Sequence, residues 1–366
     1  MIVDCFLPPK SPMLAKSFKR FAVAPLLVAL ASCATAPEEK VSLLEQVKSR
    51  GELKCGISGG LPGFSSLTPD GDYTGLDVDV CRAVAAAALG DADSVAYTPL
   101  TAAQRFTALS SGEIDLLSRN TTQTLSRDSG GGNGLAFAPV VFYDGQGVMV
   151  RKDSGVTTLE GLADATFCAK TGTTTERNLN DVMQARGIPF DIRNFDEDPD
   201  RNEAYKSGGV CAAMTADRSS LNSARSGFEA PDDHVILDEV LSKEPLAPAT
   251  VDGDAQWSDA VRWVVYGLMT AEELGITQDN IDARVAAATD GEEAENAALR
   301  RFLGLEGDLG GKLGLPNDFV VQAVGAVGNY GEIYDRHLGP DTPTFIPRGL
   351  NASYTEGGLH YAPPFN

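Results

Sequence analysis

Short apolar runs that read as strands alternate with amphipathic runs that read as helices, and the pattern occurs twice along the chain. That alternation restricts the fold to α/β architectures with a mostly parallel sheet in each half. Residues 41–50 read as a short helix ending at Gly51, and residues 53–58 as a strand. Asp77 reads as the N-cap of a helix over 78–89 in which Val80, Val84 and Ala88 share a face, and Gly90 stops it. Residues 95–98, 102–110 and 113–118 continue as strand, helix and strand. The second half follows with strand 165–170, helix 174–186, strand 190–195, helix 200–207, strand 209–214, helix 217–226 and strand 234–238. The chain then reads as helical over 257–274, 281–288 and 294–303, with Trp257, Trp263 and Phe302 as core, and becomes glycine-rich. This length exceeds what one core supports, so two lobes are expected. Their junction falls near Tyr143-Asp144-Gly145-Gln146-Gly147, where the two glycines suit a hinge or a strand crossover.

The N-terminus reads as an export signal: from Met13, the basic Lys16, Lys19 and Arg20 precede the apolar stretch 21–31. Leu30-Ala31-Ser32-Cys33 fits a lipoprotein cleavage box, in which Cys33 becomes the lipidated first residue. Ordinary cleavage after Ala34 or Ala36 stays open, so residues 1–36 are assigned to export of either kind. The expected location is the periplasm, with the membrane reached only through that anchor.

Thirty basic against 51 acidic residues give a formal charge of −21 and no basic stripe, which excludes nucleic acid as a partner. Beyond Cys5 and Cys33 remain Cys55, Cys81, Cys168 and Cys211. Four cysteines allow three connectivities. Neighbourhood favours Cys55 with Cys81 and Cys168 with Cys211, each pair within one half. No CxxC occurs, and His234, His337 and His360 lack metal-ligand spacing, so no metal is expected. No cofactor is expected either.

Two strand ends carry polar side chains. Ile114-Asp115-Leu116-Leu117 runs into Ser118-Arg119-Asn120-Thr121-Thr122, followed by Ser126-Arg127; strand 165–170 runs into Gly172-Thr173-Thr174-Thr175-Glu176. Strand tips of open α/β sheets are where small ligands sit. An arginine with hydroxyl and amide neighbours on one wall, and a helix N-terminus with threonines on the other, suit a carboxylate. Asp217 reads either as a ligand contact or as the cap of helix 217–226.

Ten segments in order then resemble a known family. They include Gly75-Leu76-Asp77-Val78-Asp79-Val80-Cys81-Arg82, Arg105-Phe106-Thr107-Ala108-Leu109, Leu117-Ser118-Arg119-Asn120-Thr121-Thr122, Ser242-Lys243-Glu244-Pro245-Leu246, Val327-Gly328-Asn329-Tyr330-Gly331-Glu332 and Arg348-Gly349-Leu350-Asn351. They are similar to the general L-amino-acid binding proteins of polar amino acid ABC transporters, over roughly residues 41–366. The resemblance implies a two-lobed type II periplasmic binding protein fold with a double hinge and a ligand cleft between lobes. Lobe 1 would take 41–143, lobe 2 144–245, and 246–366 would return to lobe 1 with a helical and glycine-rich extension. It also implies a monomer that captures free L-amino acids and delivers them to ABC permease subunits.

Carried over residue by residue, Arg127 would clamp the α-carboxylate with Asn120 and Thr122 beside it. Thr173 and Thr174 would meet that carboxylate from the other lobe by hydroxyl or backbone N–H, and Asp217 would accept the α-ammonium. Phe64 would supply an apolar contact. Departures from the pattern are Gln123, Gly130-Gly131-Gly132-Asn133-Gly134 and Arg218, the last of which would favour an acidic ligand side chain.

Enzymatic readings are weaker. Gly56-Ile57-Ser58-Gly59-Gly60 fits a nucleophile elbow, but Leu61-Pro62-Gly63 follows where a helix is required. Glu176 would be the acid/base of a dehydratase on the same fold, against its simpler role as a first-turn helix glutamate. A ligand-sensing lipoprotein is the third class.

Overall fold

The computed structural model describes residues 41–366. The export segment and Cys33 lie outside the described residues, among which no helix is long and apolar enough to cross a membrane.

A five-stranded and a six-stranded sheet organise the molecule. The first runs Val95–Pro99, Leu53–Ile57, Leu116–Leu117, Ala249–Val251, Leu135–Phe137. Its first three strands are parallel, with Leu53 opposite Val95 and Cys55 opposite Leu116. The second runs Phe190–Phe195, Ala165–Lys170, Ala213–Asp217, Phe142–Arg151, His234–Ile236. Here Phe190 pairs Ala165 and Ala213 pairs Phe167 in parallel, while Asp217 pairs Gln146 antiparallel. Each sheet is thus parallel at its βαβ core, and antiparallel pairs enter where the chain crosses between lobes. Along Phe142–Arg151, Val148 and Val150 join one buried cluster with Phe167 while Met149 joins another with Cys168 and Met214, so helices cover both faces.

The crossover is a pair of strands. Phe142–Arg151 leaves the first lobe, and Lys243–Leu246 returns beside it with Gly145 opposite Lys243 and Phe142 opposite Leu246. A Cβ on Gly145 would lie 2.4 Å from Val240 Cγ1 and 3.0 Å from the Ser242 carbonyl oxygen, so close approach of the two crossing strands requires glycine there. Disulfides join Cys55 to Cys81 and Cys168 to Cys211, one in each lobe.

The first lobe holds the larger core. Helix Leu76–Leu89 packs its alanines against helices Ala255–Glu273 and Phe319–Val327. Trp257 is fully buried and donates its indole N–H to the Asp115 carbonyl (2.8 Å). Trp263 and Phe302 close on Phe365 at 5.1 and 5.0 Å, which fastens the C-terminus. Before that point the tail reaches the second lobe, where Asn222 Nδ2 donates to the carbonyls of Thr344 and Phe345, and it reaches the hinge, where Asn351 Oδ1 accepts from the Tyr143 N–H.

Several sequence expectations are corrected. Asp77 is not a cap: the helix begins at Leu76 behind Gly75, whose φ of 138° and backbone contact with Phe64 exclude a side chain. Strand 113–118 shrinks to Leu116–Leu117 because the chain turns into the cleft at Ser118, and strand 209–214 slides to Ala213–Asp217. The glycine-rich tail contains helices Phe319–Val327 and Tyr330–Leu338. The latter starts on a capping box, with Asn329 Oδ1 accepting the Glu332 N–H (2.9 Å) and Glu332 Oε2 accepting the Asn329 N–H (2.9 Å). Asn329 Nδ2 also donates to the Ile276 carbonyl (2.7 Å). Asn329→Ala should lower unfolding free energy by about 1–2 kcal/mol in urea titrations.

Candidate functional site

The C-terminal ends of Leu116–Leu117 and Ala165–Lys170 face each other, and between them lies a small polar cavity lined from both lobes. The lobes touch around it. Ser223 Oγ donates to the Pro62 carbonyl (2.8 Å), and Gly172 lies against Ala103.

On the first-lobe wall, Asn120 takes a left-handed φ of 34° and donates its backbone N–H to Asp77 Oδ2 (3.0 Å). Burial raises the Asp77 carboxyl from 3.8 to about 7, against the pull of that N–H and of Arg119. A raised folded-state pKa means that the proton's contribution to stability is present below about pH 4 and is lost as pH rises toward about 7. Asp77→Asn, which keeps an acceptor for Asn120 without the charge, should therefore gain stability over the parent protein steadily across that interval in thermal melts. A constant difference would refute this.

Arg127 is 5 % exposed, lies over the Phe106 ring at 5.1 Å and donates from Nη1 to the Thr122 carbonyl (2.7 Å). Burial pushes its pKa down to about 10, with Glu244 and Asp217 acting in the other direction. Its guanidinium makes no ion pair among the described residues. On the second-lobe wall, Thr173 caps helix Thr174–Ala185 by accepting the Glu176 N–H, and it donates its own hydroxyl to the Lys170 carbonyl (2.8 Å). Thr173, Thr174 and Thr175 at the start of that helix line the cavity, and the first N–H groups of a helix have no intrahelical acceptor.

Asp217 does not cap the helix with its side chain. It occupies the N-cap position of helix Arg218–Ser226 yet makes no capping bond, because Asp144 Oδ2 accepts the Ser219 N–H instead (3.2 Å). Asp217 lines the cavity. Burial first, then repulsion from Asp144 and Glu244, raises its pKa well above the usual carboxylate range. Asn120 Oδ1 is likewise buried without a donor among the described residues.

Asn120, Thr122, Thr173, Thr174 and Asp217 thus line one cavity, and Arg127 stands directly behind it through Thr122. Phe64 does not join them. It is 1 % exposed in the core, edge-on to Phe142 at 5.2 Å. Arg218 also points away, donating Nη1 to the Leu237 carbonyl (2.6 Å). No helix follows Ser58, whose N–H goes to Ser65 Oγ in a turn leading to the strand Gly60–Leu61, so the nucleophile elbow is absent. Glu176 Oε1 accepts from Asn194 Nδ2 (2.7 Å). No group of metal-ligating side chains occurs among the described residues.

Sequence reasoning missed Glu244. Its carboxylate, 1 % exposed, accepts from Thr122 Oγ1 (2.6 Å), Thr174 Oγ1 (2.9 Å), Asn178 Nδ2 (2.9 Å) and Ser242 Oγ (2.5 Å). It ties the two walls together from the returning hinge strand. Both threonine hydroxyl protons are spent on it, which leaves backbone N–H as their donor toward a ligand. Also missed were Arg105, Arg119 and a trio in which Asp198 pairs with Lys170 (2.7 Å) and Arg201 (3.0 Å). The available signal was single basic residues at polar strand tips, Arg119 after Leu116-Leu117-Ser118 and Lys170 at the end of its strand, in an acidic chain.

The family model for bacterial extracellular solute-binding proteins, family 3, matches residues 53–300. A glutamate/glutamine/aspartate/asparagine-binding protein of Rhodobacter capsulatus is 48% identical over 338 residues, covering 92% of this chain and 97% of the relative. A general L-amino acid-binding periplasmic protein of Rhizobium johnstonii is 46% identical, covering 88% and 92%. Among solved structures, an ABC transporter periplasmic binding protein from Brucella ovis with glutathione bound aligns with a TM-score of 0.83 at 45% identity, covering 89% of this chain and 99% of that one.

Proposed function

Because this chain belongs to family 3 of the bacterial extracellular solute-binding proteins, we propose that it captures free L-amino acids outside the cytoplasmic membrane and delivers them to the permease subunits of an ABC transporter. It acts as a carrier and not as an enzyme, in keeping with relatives that are named for what they bind.

The observation that carries this reading is the distribution of unpaired charge around one cavity. Arg127 holds a cation without a carboxylate partner, while Asp217 and the orphaned Asn120 Oδ1 offer acceptors without donors. A zwitterion satisfies both sets at once. Its α-carboxylate meets Arg127 and the N–H groups at the start of helix Thr174–Ala185; its α-ammonium meets Asp217 and Asn120. Burying either pole unpaired would be costly, so the closed arrangement is favoured when the ligand is present. The ligand then shifts the population toward the closed form, and that surface is what the permease reads. Glu244, hydrogen-bonded to Thr122 on one wall and Thr174 on the other, supports the same closure. Export as a monomer, free or held by lipid on Cys33, completes the proposal.

Calorimetric titration of the purified protein with each common L-amino acid tests it. One-to-one binding without product formation is expected. Silence toward all of them, or turnover of any, overturns the reading.

A further inference from the structure

The family match ends at residue 300, and residues 301–366 lie beyond it. Nothing in the capture of a zwitterion uses them. Two parts of this extension are anchored in lobe 1: helix Phe319–Val327 packs on helix Leu76–Leu89, and Phe365 closes on Trp263 and Phe302. Between these anchors, residues around 344–346 are tied to helix Tyr330–Leu338. Thr344 Oγ1 donates to the His337 carbonyl (2.6 Å), the Ile346 N–H to the Leu338 carbonyl (2.9 Å), and Tyr334 Oη to the Ile346 carbonyl (3.1 Å). The same segment buttresses the loop around Gly63, where φ is 84° and a Cβ would lie 2.7 Å from Leu338 Cδ2 and 3.2 Å from Thr344 Oγ1. Extension and loop together make one platform on lobe 1.

Lobe 2 meets that platform through two adjacent residues. Asn222 Nδ2 donates to the carbonyls of Thr344 (3.3 Å) and Phe345 (3.2 Å), and Ser223 Oγ donates to the Pro62 carbonyl (2.8 Å). Both lie on helix Arg218–Ser226, which packs on the second sheet and begins directly after Asp217. Neither lines the ligand cavity. Because each bond runs from one lobe to the other, a hinge rotation that draws Asp217 away from the first-lobe wall breaks them as well. Bonds made only on closure multiply the closure equilibrium, and the apparent affinity of a ligand that needs the closed form scales with that equilibrium.

We propose that the C-terminal extension is a brace for closure: its platform on lobe 1 latches Asn222 and Ser223 of lobe 2, which makes these two residues determinants of affinity outside the ligand cavity. This rests on the closure invoked above for amino-acid capture and adds what sets its strength. At its far end the brace is fixed to the hinge, where Asn351 accepts from the Tyr143 N–H (2.6 Å) and donates to the Tyr143 carbonyl (3.2 Å), so the platform keeps its place while lobe 2 swings.

The test is calorimetry and stopped-flow binding on the full chain with each common L-amino acid, in the parent, Asn222→Ala, Asn222→Asp and the double variant Asn222→Ala/Ser223→Ala. One modest hydrogen bond changes an equilibrium about threefold to tenfold, so Asn222→Ala should raise the dissociation constant by about that factor and the double variant by about tenfold to a hundredfold. The factor should be the same for every amino acid that binds, since neither side chain reaches the ligand, and it should appear as faster release with capture little changed. Asn222→Asp keeps the acceptor that Arg225 Nη2 uses (3.0 Å) but cannot donate, and should weaken binding at least as much as Asn222→Ala. Without ligand the variants should melt with the parent, because the open form lacks these bonds. A ligand-free arm uses Asn222→Cys/Phe345→Cys, which keeps the carbonyl of residue 345: a short bis-maleimide should join the two introduced thiols, as mapped by proteolysis, and reduce the radius of gyration in small-angle scattering. Parent-like affinity in the double variant, factors that differ between amino acids, or a lowered melting temperature without ligand overturns the latch. If the parent binds no amino acid, the capture reading beneath fails, and the crosslink then tests the brace alone: thiols that do not join overturn it.

Discussion

Arg127→Ala is expected to abolish ligand binding at any concentration that saturates the parent protein. The guanidinium is buried, it already uses Nη1 on the Thr122 carbonyl, and no carboxylate of the chain pairs with it. On the proposed reading its remaining donors meet the α-carboxylate of the ligand. Truncating one partner of a buried charge-assisted pair costs about 2–5 kcal/mol, much of it from leaving the opposite charge unpaired, so the dissociation constant should rise by roughly 10²- to 10³-fold or more. Thermal melts give an independent reading. At a ligand concentration a hundred times the parent's dissociation constant, linkage stabilises the parent by about 2.7 kcal/mol and the variant by almost nothing. A variant that still shifts with ligand would remove Arg127 from the site.

Asp217→Asn should move binding and stability in opposite directions. For the ligand, the change removes the only charge that the ammonium meets, and a loss of about 2–4 kcal/mol in affinity is expected. For the empty protein it removes a buried carboxylate crowded by Asp144 and Glu244, with Arg105 and Arg127 the cations on its other side, so the fold should become more stable at neutral pH. The pH dependence follows the same logic. Because the Asp217 pKa is raised, the stability it lends as a protonated group is present below the ordinary carboxylate pKa and fades as pH rises toward the raised value. Ligand binding demands the charged form, so affinity in the parent should fall as pH is lowered through that value, whereas Asp217→Asn should bind weakly with little slope from this position. Isothermal titration at several pH values reports the slopes, and chemical denaturation reports the stabilities. A variant that bound as well as the parent would leave Asp217 with a purely structural role.

The local grammar of the chain was readable where one residue type had one physical use. Gly51 and Gly90 end helices with left-handed φ values of 72° and 74°, and the polar tips after Leu117 and Lys170 do converge on one cavity. The pairing of Cys55 with Cys81 and of Cys168 with Cys211 followed from proximity within each half. Register across long separations was not readable. Glu244 enters the site only because the returning strand pairs it with Asp144, a hundred residues away in sequence, and that pairing depends on how the lobes are assembled. Asp77 misled for a related reason. Its place near a helix start fits a cap, but its carboxylate is turned inward to hold the Asn120 backbone. The tail helices were hidden by glycines at 325, 328 and 331, although the apolar spacing of Val320, Val324 and Val327 marked the buried face. Phe64 shows the converse: an aromatic that family likeness placed at the ligand is held in the core by Phe142 and its neighbours.

A crystal structure of the protein co-crystallised with the amino acid that it binds most tightly tests the central claim most directly. The account predicts a single ligand in the cleft, its α-carboxylate bidentate on Arg127 and its ammonium on Asp217, with Thr122 and Thr174 still joined through Glu244. A ligand seated elsewhere, or one in the cleft with Arg127 and Asp217 beyond hydrogen-bond reach, would contradict it.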